Sequence, residues 1–327
     1  MIRVIDTGIR GGRENVAFDQ ALVELHAAGR IPDTVRFLRF RPSALVGRHQ
    51  ILSHEARLEY CARHGIEVGR RITGGGGLYL DEGQVCWELV LARKGLGADL
   101  AAIAARICAA AAAGLRRLGV PAEFRPRNDI EARGRKLSGT GGLVDGRTLF
   151  FQGTLLVDFD PARMIEALRV PVEKLARRDL DDARKRVTTV KEILGFTPSV
   201  SDIQEALLTG FREQLGLAPQ WGEVTPEEEA LARRLHDEEL GTEAFVRGPD
   251  APGGEPGQVS ASLVRRGGAL YRALKKLGND LPEAIEILTG AATPVLDRWF
   301  ESPELKGTLA TDAIIGSFAP PSAPGSG

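Results

Sequence analysis

The sequence predicts an α+β protein, a mixed β-sheet flanked by helices. Three observations lead there. Apolar and β-branched residues recur in short runs of strand length, amphipathic or alanine-rich stretches lie between them, and several strands follow one another through glycine turns with no helix between. The strict strand and helix alternation of a doubly wound parallel sheet is missing.

Taken in order, strands are expected at 3–6, 34–40, 67–70, 85–91, 129–132 and 149–157, where apolar residues alternate or cluster. Helices are expected at 15–28, 54–64, 98–118 and 201–214; the third is so rich in alanine that it should be long and well packed. Past Thr225 the chain turns charged and helical through Leu240, and Gly248-Pro249-Asp250-Ala251-Pro252-Gly253-Gly254-Glu255-Pro256-Gly257 has the composition of a linker. Beyond it, 259–264 and 269–277 suggest a hairpin, with helices near 282–288 and 294–300. The terminal Pro, Ser and Gly run has too little apolar surface to fold. The expected organisation is a catalytic domain over 1–246, a linker over 247–257, a small α/β accessory domain over 258–318 and a disordered tail over 319–327.

A chain of 327 residues can bury a full hydrophobic core without staples. Its 43 basic and 44 acidic residues leave a net charge of -1, which gives no global field toward nucleic acid or anionic membrane. Any cationic site is therefore local. The three cysteines, Cys61, Cys86 and Cys108, lack metal-ligand or disulfide spacing and read as core thiols in a reducing compartment. With neither a charged leader with an apolar segment behind it nor a spanning apolar run, the expectation is a soluble, cytoplasmic protein.

The run Arg70-Arg71-Ile72-Thr73-Gly74-Gly75-Gly76-Gly77-Leu78-Tyr79 sets two cations against a backbone stripped of side chains. Such a segment can bring main-chain N–H groups against a phosphate. A bare glycine tetrad equally suits a flexible loop; the paired arginines and the immediate return to strand sequence favour the phosphate. The spacing is not G-x-G-x-x-G and no helix follows, which argues against a dinucleotide fold. A second constellation, Asn128-Asp129-Ile130-Glu131-Ala132-Arg133-Gly134-Arg135-Lys136-Leu137-Ser138-Gly139-Thr140-Gly141-Gly142, reads as two strands joined at Arg133-Gly134. Alternation points Lys136 away from Leu137, either onto a solvated hairpin edge or into a cleft. Asn128-Asp129 upstream and the small-residue stretch downstream favour the cleft.

These segments supply what activation of a carboxylate by a nucleotide requires: glycine donors and arginines for phosphates, a carboxamide and a carboxylate for Mg²⁺ or ribose, and a cation at the developing anhydride. Arg70-Arg71-Ile72-Thr73-Gly74-Gly75-Gly76 with Asp81, then Asn128-Asp129-Ile130, Gly134-Arg135-Lys136-Leu137-Ser138-Gly139, Gln152-Gly153-Thr154-Leu155-Leu156 and Arg186-Val187-Thr188 together resemble lipoate-protein ligase. The resemblance runs from the N-terminus to about Phe196 and takes in Asn15-Val16-Ala17-Phe18-Asp19 and Val46-Gly47-Arg48-His49-Gln50. It implies a biotin/lipoate ligase-like fold. It also implies condensation of lipoate with ATP to lipoyl-AMP, then transfer to a lysine of a lipoyl-acceptor protein such as a lipoyl domain or H protein. It leaves open whether octanoate competes with lipoate.

By the same resemblance Lys136 would be the catalytic cation, bonding the acyl carbonyl and a phosphate oxygen. Arg71, Gly74, Gly75, Gly76, Gly77, Tyr79 and Asp81 would frame the lipoate and adenylate, with Arg48, Ser138, Gly139, Thr140, Gln152, Gly153 and Thr154 around them. Arg70 would be a phosphate or packing partner, and Asn128 and Asp129 would sit near Mg²⁺ or the nucleotide. Two positions depart from the pattern: Leu80 and Gln152 stand where the family commonly has histidine. Of the five histidines only His49, beside Arg48, falls near the expected site, and none has zinc spacing. Trp87, Trp221 and Trp299 read as core or docking anchors. Rival readings are an octanoyl or lipoyl transferase, cysteine-dependent or cysteine-independent, a biotin ligase and a non-catalytic binder of acyl-adenylate. The stretch 124–131, where the cysteine enzymes carry their thiol, holds none.

Overall fold

The computed structural model describes residues 1–93, 100–126, 128–169 and 185–248. The chain divides into two units, Met1–Pro256 and Gly257–Gly327, and every described strand and helix belongs to the first. The expected linker, hairpin, final helices and tail, with Trp299, lie outside the described residues.

Eleven strands are described: β1 Ile2–Arg10, β2 Thr34–Phe40, β3 Ser43–Val46, β4 Glu67–Arg70, β5 Leu78–Leu80, β6 Gln84–Ala92, β7 Ala122–Arg125, β8 Asp129–Ala132, β9 Arg135–Asp145, β10 Thr148–Leu156 and β11 Pro219–Trp221. Eight form one mixed sheet in the order β11-β1-β2-β6-β10-β9-β8-β7, and β4-β3-β5 form a second, smaller one. β1 pairs parallel with both β2 and β11; the run from β2 through β6, β10, β9 and β8 to β7 is antiparallel throughout. The α+β expectation therefore holds, with helices on both faces.

One face packs on α4 (Leu100–Arg117) and α7 (Val200–Leu215), burying Val35, Phe37, Trp87, Leu89, Ile107, Leu137, Phe151, Leu155 and Phe211. The two helices meet through glycines: a Cβ on Gly114 would lie 2.1 Å from the Ala206 carbonyl oxygen, and one on Gly210 would lie 2.2 Å from that of Ala110. The opposite face carries α1 (Gly12–Ala27) and α8 (Pro226–Leu235), with Phe18, Leu22, Leu38, Val90 and Phe150 between. Local signals set the ends of these helices. Ser199 and Thr225 cap α7 and α8 reciprocally with Asp202 and Glu228, and α7 stops at left-handed Gly216.

The expected helix over 54–64 is instead two short ones, α2 (Leu52–Glu55) and α3 (Leu58–Arg63). The break has a cause: Ala56 forms a β-bridge with Leu168, just past α5 (Pro161–Ala167), and extended backbone cannot continue a helix. Short α6 (Val190–Leu194) and α9 (Glu243–Arg247) complete the described helices, with a π-helical turn at His236–Leu240.

Candidate active site

A cavity of about 840 Å³ opens between the glycine loop and the β8, β9 and β10 part of the main sheet. Of the residues expected at the site, Arg71, Gly74, Gly75, Gly76, Gly77, Tyr79, Asn128, Asp129, Lys136, Gly139, Thr140, Gln152 and Thr154 line it. Two segments far apart in sequence thus face one space.

Register explains why Lys136 points there. Glu131 pairs with Lys136 and Ile130 with Ser138, so Leu137 is an extra residue in β9. The bulge lets Leu137 enter the helix-side core while Lys136 and Gly139 share the cavity face. A Cβ on Gly139 would meet Lys136 Cε and Nζ at 3.1 Å, so glycine leaves room for the amine. Behind the lysine, Thr188 N donates to the Lys136 carbonyl at 2.9 Å and Val187 bridges to it. The Arg186-Val187-Thr188 segment therefore fixes the lysine backbone, and Arg186 and Val187 also line the cavity.

The Lys136 ammonium lies 2.7 Å from Asp129 Oδ1, with the two side chains 41% and 30% exposed. That oxygen has no hydrogen bond of proper direction, so the contact is one of charge. Asn128 is occupied otherwise. Its amide donates to the Thr140 carbonyl and its own carbonyl accepts from Thr140 N and Oγ1, all at 2.9 Å, which closes the end of the β8 and β9 pair.

Opposite stands the loop. Arg71 is buried; its Nη1 donates to Thr73 Oγ1 at 3.0 Å and its Nη2 to the Gly76 carbonyl at 2.6 Å. Burial pushes its pKa down to about 10, against the opposing pull of the Glu55 carboxylate. Its Nε is buried with no partner among the described residues. Gln152 Nε2 donates to the same Thr73 hydroxyl at 3.0 Å, joining β10 to the loop where a family histidine would stand. Leu80, the other departure, is buried and lines the cavity. Within the tetrad only Gly75 has a positive φ, 96°. A Cβ on Gly47 would fall 1.8 Å from the Gly75 carbonyl oxygen, so the Gly47 segment and the loop cross where no side chain fits.

Five expected residues do not line the cavity. Arg70 is a packing residue: its guanidinium donates to the carbonyls of Gly47, Arg48, Gln50, Phe245, Val246 and Arg247. Arg48 sits over the Phe245 ring at 5.8 Å. Asp81 accepts from Gly83 N at 2.9 Å and shapes the turn into β6; burial raises its pKa. Ser138 is buried on the core side of β9, and Gly153 abuts Trp87, whose ring a Cβ would meet at 2.3 Å. His49 is exposed and off the lining, its pKa lowered by partial burial and then by Arg48 and Arg70. Sequence reasoning missed an apolar wall, Leu78, Leu156, Phe159, Met164 and Ile165, together with Arg125, Glu131 and Lys185. Those side chains come from several separate elements, so no spacing in the sequence announces them.

The donor set limits the chemistry. Among the described residues no group of three His, Cys, Asp or Glu side chains assembles for a metal, and Asp129 already faces Lys136. The residues do not make a protein-built Mg²⁺ cage. All three thiols are buried and off the cavity lining, and burial raises the pKa of each.

A cationic side chain and glycine backbone face each other across a partly apolar cavity. The family model for the lipoyl protein ligase A/B catalytic domain matches residues 12–212, and the chain belongs to that family. In an archaeal lipoylation system from Thermoplasma acidophilum, a bi-partite lipoate protein ligase and its E2 lipoyl domain, the matching chain is 27% identical with a TM-score of 0.67, covering 76% of this chain and 95% of that one. A structure of lipoate-protein ligase A bound with ATP is 26% identical with a TM-score of 0.65, covering 76% and 98%. The octanoyltransferase LipM of Symbiobacterium thermophilum is 28% identical over 262 residues, 73% of this chain and 95% of its own length. No helix among the described residues is long and apolar enough to cross a membrane.

Proposed function

We propose that this chain is an ATP-dependent lipoate-protein ligase. The observation that carries the reading is the Lys136 ammonium facing the Arg71 to Gly77 loop across a cavity from which every thiol is excluded. In the first step a lipoate carboxylate oxygen attacks the α-phosphorus of ATP, and the bond from that phosphorus to the bridging oxygen breaks to release pyrophosphate. Lys136 supports negative charge on the acyl and phosphoryl oxygens as it builds. In the second step the amine of an acceptor lysine attacks the acyl carbonyl, the C–N bond forms, the amine sheds a proton, and AMP leaves with the electron pair. The nucleophile is foreign, so this chain's task is to orient it and hold the leaving group.

The apolar wall of Leu78, Leu156, Phe159 and Met164 suits the acyl chain, and the glycine loop with Arg71 suits the phosphate. Mg²⁺ entering with ATP would be held chiefly by phosphate oxygens and water, with Asp129, beside Lys136, as the carboxylate that could approach it; no step here depends on it. The proposed acceptor is a lipoyl domain or H protein, in line with the E2 lipoyl domain of the Thermoplasma ligase. The unit from Gly257 on is proposed to assist adenylation or acceptor presentation.

Purified protein with ATP, Mg²⁺ and lipoate should catalyse lipoate-dependent exchange between ATP and pyrophosphate, and should add a lipoyl mass to an acceptor domain. Saturable binding without exchange would mark a non-catalytic binder. The similarity to LipM favours a second reading, an octanoyltransferase that needs no ATP. That route through a covalent thioester calls for an accessible thiolate, which buried Cys86 on β6 does not offer.

A further inference from the structure

The carboxylate of Glu55 makes a contact that the reaction itself does not require. Its Oε2 accepts a 2.6 Å hydrogen bond from Gly77 N, the last amide of the glycine loop before β5. The same oxygen would lie 3.4 Å from a Cβ on Gly76 and 3.3 Å from one on Gly77, so the carboxylate rests close against the backbone of both glycines.

Glu55 projects from a pinned frame. Its carbonyl accepts from Arg169 N at 2.8 Å, Ala56 bridges to Leu168, and Arg57 N donates to the Ala167 carbonyl at 2.9 Å. A second strut comes from Leu168, whose Cδ2 would be 3.2 Å from a Gly77 Cβ. The loop needs an outside anchor because four successive glycines carry no side chains of their own to fix it, and each ordered glycine loses much conformational freedom. It is tied internally, by Arg71 to Thr73 and Gly76. Arg71 thus holds the carbonyl of the peptide between Gly76 and Gly77, and Glu55 holds the N–H of that same peptide, just before Leu78 pairs with Leu45.

We propose that Glu55 is a positioning residue of this site: it fixes the exit of the glycine loop, so that the loop meets the nucleotide already ordered. The proposal deepens the ligase reading and rests on it. A charged acceptor on an amide is among the stronger hydrogen bonds, and an ordered loop spares the ligand the cost of ordering it.

The test compares Glu55→Ala and Glu55→Gln in the full-length protein. Three readouts are taken: amide hydrogen exchange over the loop without ligand, ATP binding by calorimetry, and exchange kinetics with lipoate. Glu55→Ala should lose protection at Gly77, weaken ATP binding roughly tenfold and raise KM for ATP more than it lowers kcat. Glu55→Gln, whose amide oxygen still accepts, should recover most of both. Unchanged loop protection and unchanged ATP affinity in a folded Glu55→Ala protein would overturn the proposal, as would tighter ATP binding, which would make Glu55 a competitor of the ligand. If wild-type protein exchanges no pyrophosphate the ligase reading has failed, while loop protection and ATP affinity still decide the role of Glu55.

Discussion

Arg36 shows how much a single buried charge can organise. Fully buried on β2, it donates to Asp19 Oδ1 at 2.7 Å, Glu88 Oε2 at 3.1 Å, Asn15 Oδ1 at 2.6 Å and Thr7 Oγ1 at 2.9 Å. One cation cannot balance two buried carboxylates. Burial raises the pKa of both, well above the ordinary 4.5 for Glu88, where the Asp19 charge adds to the effect and Arg36 opposes it. The folded state therefore holds a proton that the unfolded chain releases above its ordinary carboxylate range. This contribution to stability is complete at low pH and is lost as pH rises from about 4.5 toward the folded value. Glu88→Gln keeps the geometry without the titration. Its unfolding free energy, measured by urea titration across pH, should lack that decline, whose limiting slope for one proton is about 1.4 kcal/mol per pH unit. At Lys136, 41% exposed and ion-paired with Asp129, removal of the side chain should cost less than about 0.5 kcal/mol of stability, read by the same titration. Its loss should appear in activity alone.

Among the elements, the glycine loop is the most legible in sequence and the least predictable in detail. Arg70-Arg71 and the tetrad announce a backbone built for close approach, and the loop does line the cavity. Residue type cannot tell the two arginines apart, because they are adjacent cations of equal reach, and the resemblance leaves Arg70 as either a phosphate or a packing partner; in the fold Arg70 is spent on six carbonyls and, of the two, Arg71 alone reaches the cavity. Nor can it show that Gly47 is the loop's counterpart, since that crossing exists only in three dimensions. Gly47→Ala would set a methyl group against the Gly75 carbonyl. It should cost about 1–3 kcal/mol and displace the loop, seen as weaker ATP binding together with lower thermal stability. The hairpin at Arg133-Gly134 is readable from its turn residues, both with positive φ, but the bulge at Leu137 that aims Lys136 is not.

At the scale of the molecule, strands and helices of the main sheet follow from apolar periodicity, and the α+β class with them. The short strands β3, β7 and β11 escape a reading of the sequence, although β4 and β8 of similar length do not; pairing, rather than propensity, makes them strands. The helix over 54–64 breaks for a similar reason, since the β-bridge of Ala56 to distant Leu168 overrides a helical local sequence. Both helix layers described on the main sheet, and the family match, which ends at 212, lie within the first unit. A chain ending at Pro256 should accordingly unfold cooperatively near the full-length midpoint by calorimetry, yet form acyl-adenylate more slowly; undiminished adenylation would remove the second unit from the reaction. The central claim is that an ammonium group and a glycine loop, rather than a thiol, activate the acid. Its direct measurement is lipoate-dependent exchange of labelled pyrophosphate into ATP by wild-type, Lys136→Ala and Cys86→Ser proteins. Exchange in the wild type and in Cys86→Ser, and none in Lys136→Ala, is the expected result. Acyl transfer that proceeds without ATP and disappears in Cys86→Ser would contradict it.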